Sequence, residues 1–372
     1  MLIIRLGEAR LAPGDPEAHD LFVARQGGYW HHRIPGLCVT PQGALLAYCE
    51  ARRGDGNDWA NSDILLRRSD DGGHTWGAAQ RLASWREHGP GPCNNPVCLA
   101  DRQAGRVHLL YCHSYGRVYQ RISQDDGHTW GAPVEITAAL EPLRAQYDWG
   151  VVAVGPGHGI QLTSGRLLAP IWVSLSHTQA HQPSRTATIY SDDHGQSWQV
   201  GRLVADTIPN CNEATVVELA DGGLLLNMRH LSERRQRAVA LSDDGGEHWS
   251  PPGFDEALYE PRCFASMVRH SLPTDDRPGC LLFVSPDASA LGQEAHSRSN
   301  LTLRASYDEG STWPVACTLD RGLAGYADLA VQRVDAVLCL YERGLAPDER
   351  FTMAALTLLH VPLGWLEASS CA

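Results

Sequence analysis

A small set of polar side chains stands where apolar runs of this chain begin or end, and their types point to anion handling. Arg33 lies in WHHRIPGLCVT, a polar head followed at once by an apolar stretch. Arg229 closes the apolar run LLLNMR, and Arg298 stands in HSRSNLTLRAS just ahead of another. Glu213 precedes TVVEL in PNCNEATVVEL, Tyr326 sits in AGYADLAV, and Glu342 ends LCLYE. Asp58 lies in the polar loop of GDGNDWANSDILL. Taken singly, a strand-end arginine or glutamate is a solvated residue, and a tyrosine between small residues is packing. Taken together, three converging guanidiniums form a clamp for an anion, and a carboxylate accepts their bidentate contacts best. The residues are far apart in sequence, so only a fold that brings many segments to one point could assemble them.

The chain contains the signature of such a fold. A phrase of the form Ser-x-Asp-x-Gly-x-x-Trp occurs five times, starting at Ser69, Ser123, Ser191, Ser242 and Ser306. Asp in this phrase caps backbone N–H groups of its own turn, and Gly takes the positive φ that the turn requires. The Trp returns its apolar body to the neighbouring core. Apolar or alternating runs precede each copy (DILLRRS, RVYQRIS, TATIYS, RAVALS, LTLRAS), which is a strand signal. Each copy is therefore expected to be a hairpin turn in a repeated antiparallel unit, stapling the chain without doing chemistry.

The copies recur at intervals of roughly 50 to 70 residues, and about sixty residues per unit divides the chain into about six four-stranded blades. The expected fold is all-β, a six-bladed β-propeller forming a single domain over residues 1–372. The unit without the phrase is expected to be closed by strands from both ends of the chain, which shields sheet edges. A propeller places its ligand site at one end of the central channel. The three arginines, the tyrosine, the glutamate and Asp58 are each expected to come from a different unit.

Bulk composition narrows the function classes. The net charge is −12, all 31 positive residues are arginines, and no basic run exists. Nucleic acid and anionic membrane surfaces are therefore not expected partners. The start, MLIIRLGEARLAPGD, does not read as a secretory signal, and no apolar run is long enough to span a bilayer, so a cytoplasmic location is expected. Eleven cysteines are spaced singly, mostly in apolar runs, and read as reduced buried hydrophobes. Cys93 and Cys98 in CNNPVC lack a second ligand pair, and the 17 histidines follow no metal-binding spacing. No cofactor and no metal are called for.

The five phrases, with RIP at residues 33–35, EATVVEL and LNMR, RSNLT ahead of a box, and YADLA with LYE, resemble the sialidase (neuraminidase) superfamily over nearly the whole chain. By this resemblance Arg33, Arg229 and Arg298 would grip a substrate carboxylate, with Arg304 the next candidate to Arg298. Tyr326 would be the nucleophile, Glu213 its base partner and Asp58 the acid/base. Glu342 would hold Arg33, and Arg52 would line the pocket, with Arg53 as its rival. The GPGHGIQL segment around His158 is similar to the family's but receives no role. The chain departs from the family at Ala327 and Phe264, which could redirect substrate choice. The resemblance implies a retaining exo-α-sialidase acting on sialylated glycans or other sugar-acid glycosides. Alternatives are a non-catalytic carbohydrate-binding propeller and a hydrolase of a different 2-keto-3-deoxy sugar acid. The residue types agree chemically: a sialic acid has a carboxylate on the carbon to be attacked, which would repel an Asp or Glu nucleophile but not a neutral phenol.

Overall fold

The computed structural model describes residues 16–176, 181–291, 297–344 and 353–369. The chain's first fifteen residues, on which the expectation about a leader rests, lie outside them. Strands dominate, and every paired neighbour is antiparallel within its sheet. Sheet I holds His31–Val39, Leu45–Arg52, Ser62–Ser69 and Gln80–Ser84 in sequence order. Sheet II repeats the pattern with Cys93–Asp101, Arg106–His113, Arg117–Ser123 and Val134–Glu135. Sheet III has Val151–Val154, Leu167–Ser174, Ser184–Ser191 and Gln199–Val200, with Ile160–Gln161 paired alongside. Sheet IV has Ala214–Glu218, Leu224–Met228, Gln236–Ser242 and Gly253–Tyr259.

The remaining strands form one seven-stranded path, joined by the long strand Val315–Arg333. Its first half pairs with Ser299–Ser306 as far as Leu323, and its second half pairs with Ala336–Gly344 from Ala324 onward. The path is thus two four-stranded sheets sharing one strand. Sheet V is Ser266–Ser271, Cys280–Pro286, Ser299–Ser306 and residues 315–323. Sheet VI is residues 324–333, Ala336–Gly344, Met353–Pro362 and Glu17–Val23.

Apolar cores lie between neighbouring sheets all the way round. Leu46, Ile64, Val107 and Leu109 join I to II, and Val97, Leu110, Val151 and Trp172 join II to III. Leu168, Val216 and Leu226 join III to IV, and Leu225, Met267 and Phe283 join IV to V. Leu303, Leu329 and Val337 join V to VI, and Phe22, Leu45, Leu340 and Leu358 return from VI to I. The curled sheets close on themselves as a β-propeller, with the first strand of each lying nearest the axis. No helix among the described residues is long and apolar enough to cross a membrane. The described cysteines are all buried, and no disulfide joins them.

Each repeated phrase links the third strand of a sheet to the fourth. In the first copy the Ser69 hydroxyl donates to Asp71 Oδ1 at 2.8 Å and accepts the Gly73 N–H at 2.9 Å. Asp71 in turn accepts the Thr75 N–H at 2.9 Å and its hydroxyl at 2.6 Å. The same bonds recur at Asp125, Asp193 and Asp308; at Asp244, His248 Nδ1 replaces the hydroxyl at 2.6 Å. The boxed glycines all take positive φ, Gly73 at 90°. Sheet VI lacks the phrase for a topological reason: its fourth strand, Glu17–Val23, comes from the other end of the chain and leaves no turn to staple. First strands start, second strands end and third strands start at one face of the ring, so the boxes, at third-strand ends, lie on the opposite face.

Candidate active site

Backbone irregularities at the first strands create the site. In sheet I the register shifts between Arg33 and Gly36, with Ile34 in the left-handed region at φ 59° ahead of Pro35. In sheet II it shifts between Asn94 and Val97, with Asn95 at φ 51° ahead of Pro96. In sheet VI it shifts between Ala324 and Ala327. Bulges of this kind end pairing and re-aim side chains. Here they turn Arg33, Asn95 and Tyr326 into one cavity of about 410 Å³ at the axial mouth. The CNNPVC segment, considered for metal from its cysteines, is a bulged strand that presents Asn95.

Glu342 anchors the first arginine. Its carboxylate accepts Arg33 Nε at 2.9 Å and Nη2 at 3.0 Å, together with the backbone N–H groups of Ile34 and Tyr326, each at 3.0 Å. Burial alone would raise the pKa of this fully buried acid, but the Arg33 charge and the four hydrogen bonds prevail and hold it below its ordinary value.

Tyr326, Glu213 and Arg229 form a second cluster. The phenol donates to Glu213 Oε1 and Oε2 at 2.6 and 2.7 Å. Arg229 Nη1 donates to Glu213 Oε2 at 2.6 Å and to the phenol oxygen at 2.7 Å. Burial pushes the phenol well above its ordinary value, while Glu213 is kept low, against burial, by Arg229. Glu213 thus stands as a carboxylate beside a protonated phenol. Arg33 and Arg298 face the same ring, their guanidinium carbons 5.2 and 5.4 Å from its centroid. Arg298 is held from behind by the Arg262 carbonyl. Arg229 Nε is buried without a hydrogen-bond partner among the described residues.

Asp58 reaches the cavity from its loop and accepts Arg52 Nη1 at 2.6 Å, with Arg33 Nη1 at 3.9 Å. Arg52, and after it Arg33, hold its carboxyl well below the usual range. Arg52 is fixed by Glu50, which accepts its Nε and Nη2 at 2.8 Å, and Glu50 accepts the Asn95 N–H at 2.7 Å.

All the sequence-derived candidates therefore meet at one mouth, but not one per sheet as expected. Arg33, Arg52 and Asp58 come from sheet I, Glu213 and Arg229 from sheet IV, Arg298 from the start of a sheet V strand, and Tyr326 and Glu342 from sheet VI. Adjacent antiparallel strands end and begin at the same face, so one hairpin supplies two residues. Of the rivals, Arg53 points away to Asp63 at 3.2 Å and Arg304 pairs with Asp287 at 2.6 Å, both outside the cavity. Phe264 does not line the cavity; it packs behind Tyr326, ring centroids 5.8 Å apart. His158 lies deeper, with Nδ1 2.8 Å from Asp328.

Sheets II and III supply a wall that the sequence did not reveal. Trp59, Tyr115, Trp172 and His181 form a ladder with centroid steps of 4.8, 6.1 and 4.7 Å, and the last three line the cavity. Burial, and after it Arg229, lower the His181 pKa to about 4, so this ring is neutral. An isolated Trp in an apolar run, such as Trp172 in LLAPIWVS, looks like core in a sequence. Only the ring of sheets shows that it faces a cavity.

Residues 43–337 match the family model of the BNR repeat-like domain. A sialidase of Micromonospora viridifaciens is 32% identical over 346 residues, covering 87% of this chain and 52% of the relative. A sialidase of Bacteroides fragilis is 29% identical over 347 residues, covering 84% of the chain and 60% of the relative. The chain thus spans between about half and three fifths of these relatives' length. The solved structure of Hadza microbial sialidase Hz136 superposes with a TM-score of 0.79 at 27% identity, over 94% of this chain and 69% of that one.

Proposed function

We propose that this chain, which belongs to the BNR repeat-like family, is a retaining exo-α-sialidase that releases a terminal sialic or related nonulosonic acid from glycoconjugates. We take the six sets of four strands as its six blades. The observation that carries the activity is the Tyr326–Glu213–Arg229 cluster, bonded at 2.6–2.7 Å inside a cavity that three arginines line.

Arg33, Arg229 and Arg298 bind the substrate carboxylate, which orients the anomeric carbon towards Tyr326. As the phenol oxygen attacks that carbon, its proton passes to Glu213, already at hydrogen-bond distance. The glycosidic bond breaks towards its oxygen, which takes a proton from Asp58. Water then gives a proton to Asp58 and attacks the same carbon from the vacated side. The phenol oxygen leaves and recovers its proton from Glu213. Two displacements at one carbon retain configuration. Paired with Arg52, Asp58 is a carboxylate, so the cycle begins with its taking up a proton as substrate binds.

Proton NMR of an aryl α-sialoside digest tests this reading. The sugar first released should be the α anomer, with the β anomer accumulating only by mutarotation. Early β product refutes the tyrosine mechanism. Absence of turnover with retained binding of an unsaturated sialic acid analogue replaces it with the binding-only alternative.

A further inference from the structure

Among the described tryptophan, tyrosine and phenylalanine side chains, only Trp30 and Trp59 are exposed, at 39% and 38%. Trp30 lines the active-site cavity, and Trp59 adjoins it through Tyr115, which lines it. The other described rings are at least half-covered, so this exposure is a local feature with a local explanation to be found.

The two indoles flank the loop that bears Asp58. Gly56 of that loop, at φ 75°, packs so closely on Trp30 that a Cβ there would lie 2.6 Å from its Cδ1. Trp59 follows Asp58 directly, and its ring rests on Tyr115 at 4.8 Å. Its backbone N–H is tied to Asn57 Oδ1 at 2.8 Å, and the Asn57 amide is tied to Asp55 at 2.7 and 2.8 Å. Trp30 is steadied by the Arg25 guanidinium, 3.3 Å from its ring centroid. Both indoles are therefore held in place while more than a third of each residue stays exposed to solvent.

A general acid fixes where the leaving group goes. The oxygen that Asp58 protonates must lie within hydrogen-bond reach of its carboxyl, so whatever that oxygen carries emerges beside residue 59. An open indole face attracts the C–H face of a pyranose ring, since the ring buries apolar hydrogens while its hydroxyls remain in water. We propose that Trp59, backed by Tyr115, is the platform for the leaving group's first sugar, and that it makes this chain prefer neutral-hexose glycosides over simple alkyl glycosides. The inference rests on the sialidase reading above. Loop and platform are one element, so acid and leaving group are placed together.

The test compares sialyllactose with methyl α-sialoside. Both leaving groups are alkoxides that need Asp58, and only the first brings a sugar ring. In the Trp59→Ala variant, kcat/KM for sialyllactose should fall about tenfold, the size of one aromatic contact, while that for methyl α-sialoside stays within twofold. Trp59→Phe should keep most of the preference. Equal loss on both substrates would mean that Trp59 only positions Asp58, and no loss on either would mean that the sugar does not touch it; each result overturns the platform while leaving the activity standing. Failure of the parent chain to cleave either substrate overturns the activity and the platform with it.

Discussion

Replacing Glu342 by Gln isolates what one buried carboxylate contributes. Four donors converge on its two oxygens: Arg33 Nε and the Ile34 N–H on Oε1, Arg33 Nη2 and the Tyr326 N–H on Oε2. A glutamine of the same shape offers one acceptor oxygen, so two donors must face an NH2 group whichever way the amide turns. The Arg33 charge also loses its buried partner. Breaking a buried pair from one side costs about 3–5 kcal/mol. At about 2.1 cal/mol/K per residue, a chain of 372 residues melts with an entropy near 0.8 kcal/mol/K. The melting temperature should therefore fall by about 4–6 °C at pH 7. Catalysis should suffer as well, because the same substitution releases Arg33 from its fork and the Tyr326 backbone from its anchor. A displacement of about 1 Å costs roughly a hundredfold. Calorimetry and kcat/KM on an aryl sialoside measure the two effects. The pH dependence follows from the direction of the shift. The folded pKa of Glu342 lies below its ordinary 4.5, so its contribution is full above about pH 4.5 and is lost as pH falls through the folded value. The stability gap between parent and variant should be wide at pH 7 and should narrow in acid. An unchanged melting temperature together with kcat/KM within twofold at pH 7 would refute the reasoning.

Tyr326→Phe should lower turnover of an aryl sialoside by on the order of 10³-fold while leaving binding of an unsaturated sialic acid analogue nearly intact; full turnover would remove Tyr326 from the nucleophile's role. Arg52→Gln removes the main cause of the low Asp58 pKa. The carboxyl should then titrate closer to its ordinary value, moving the alkaline limb of kcat/KM in the free enzyme to higher pH. A limb that stays where it is in the parent would show that Arg52 does not govern the acid.

Much of this was legible in the sequence because turn chemistry is local. The Ser-x-Asp-x-Gly phrase specifies its own hydrogen bonds within five residues, so five staples and their flanking strands could be placed without any tertiary information. The closing strand Glu17–Val23 was legible by elimination, since a unit without a box needed another way to finish. Arg33, Glu213, Arg229, Arg298, Tyr326 and Glu342 were visible as polar residues out of place in apolar runs. What escaped was non-local or disguised. The distribution of candidates over sheets depends on which strand ends share a face, and two residues of one hairpin do so. The wall of Tyr115, Trp172 and His181 is made of types that a sequence assigns to the core, and Tyr115 lies in a short turn whose direction only packing decides. Asn95 was hidden behind the cysteines on either side of it, because a bulge ahead of a proline has no side-chain signature of its own.

The pairing of Arg33 with Glu342 joins positions 309 residues apart. It crosses the seam where sheet VI meets sheet I, and the Glu213–Tyr326 pair crosses the channel from sheet IV to sheet VI. An open stack of repeats is divisible: a terminal unit can be removed and the rest keep their own contacts. This chain is not modular in that sense. In chain order, no run of consecutive units short of the whole contains both Arg33 and Glu342. The chemistry is therefore a property of the closed circle, and a fragment that folds is still a fragment that cannot react.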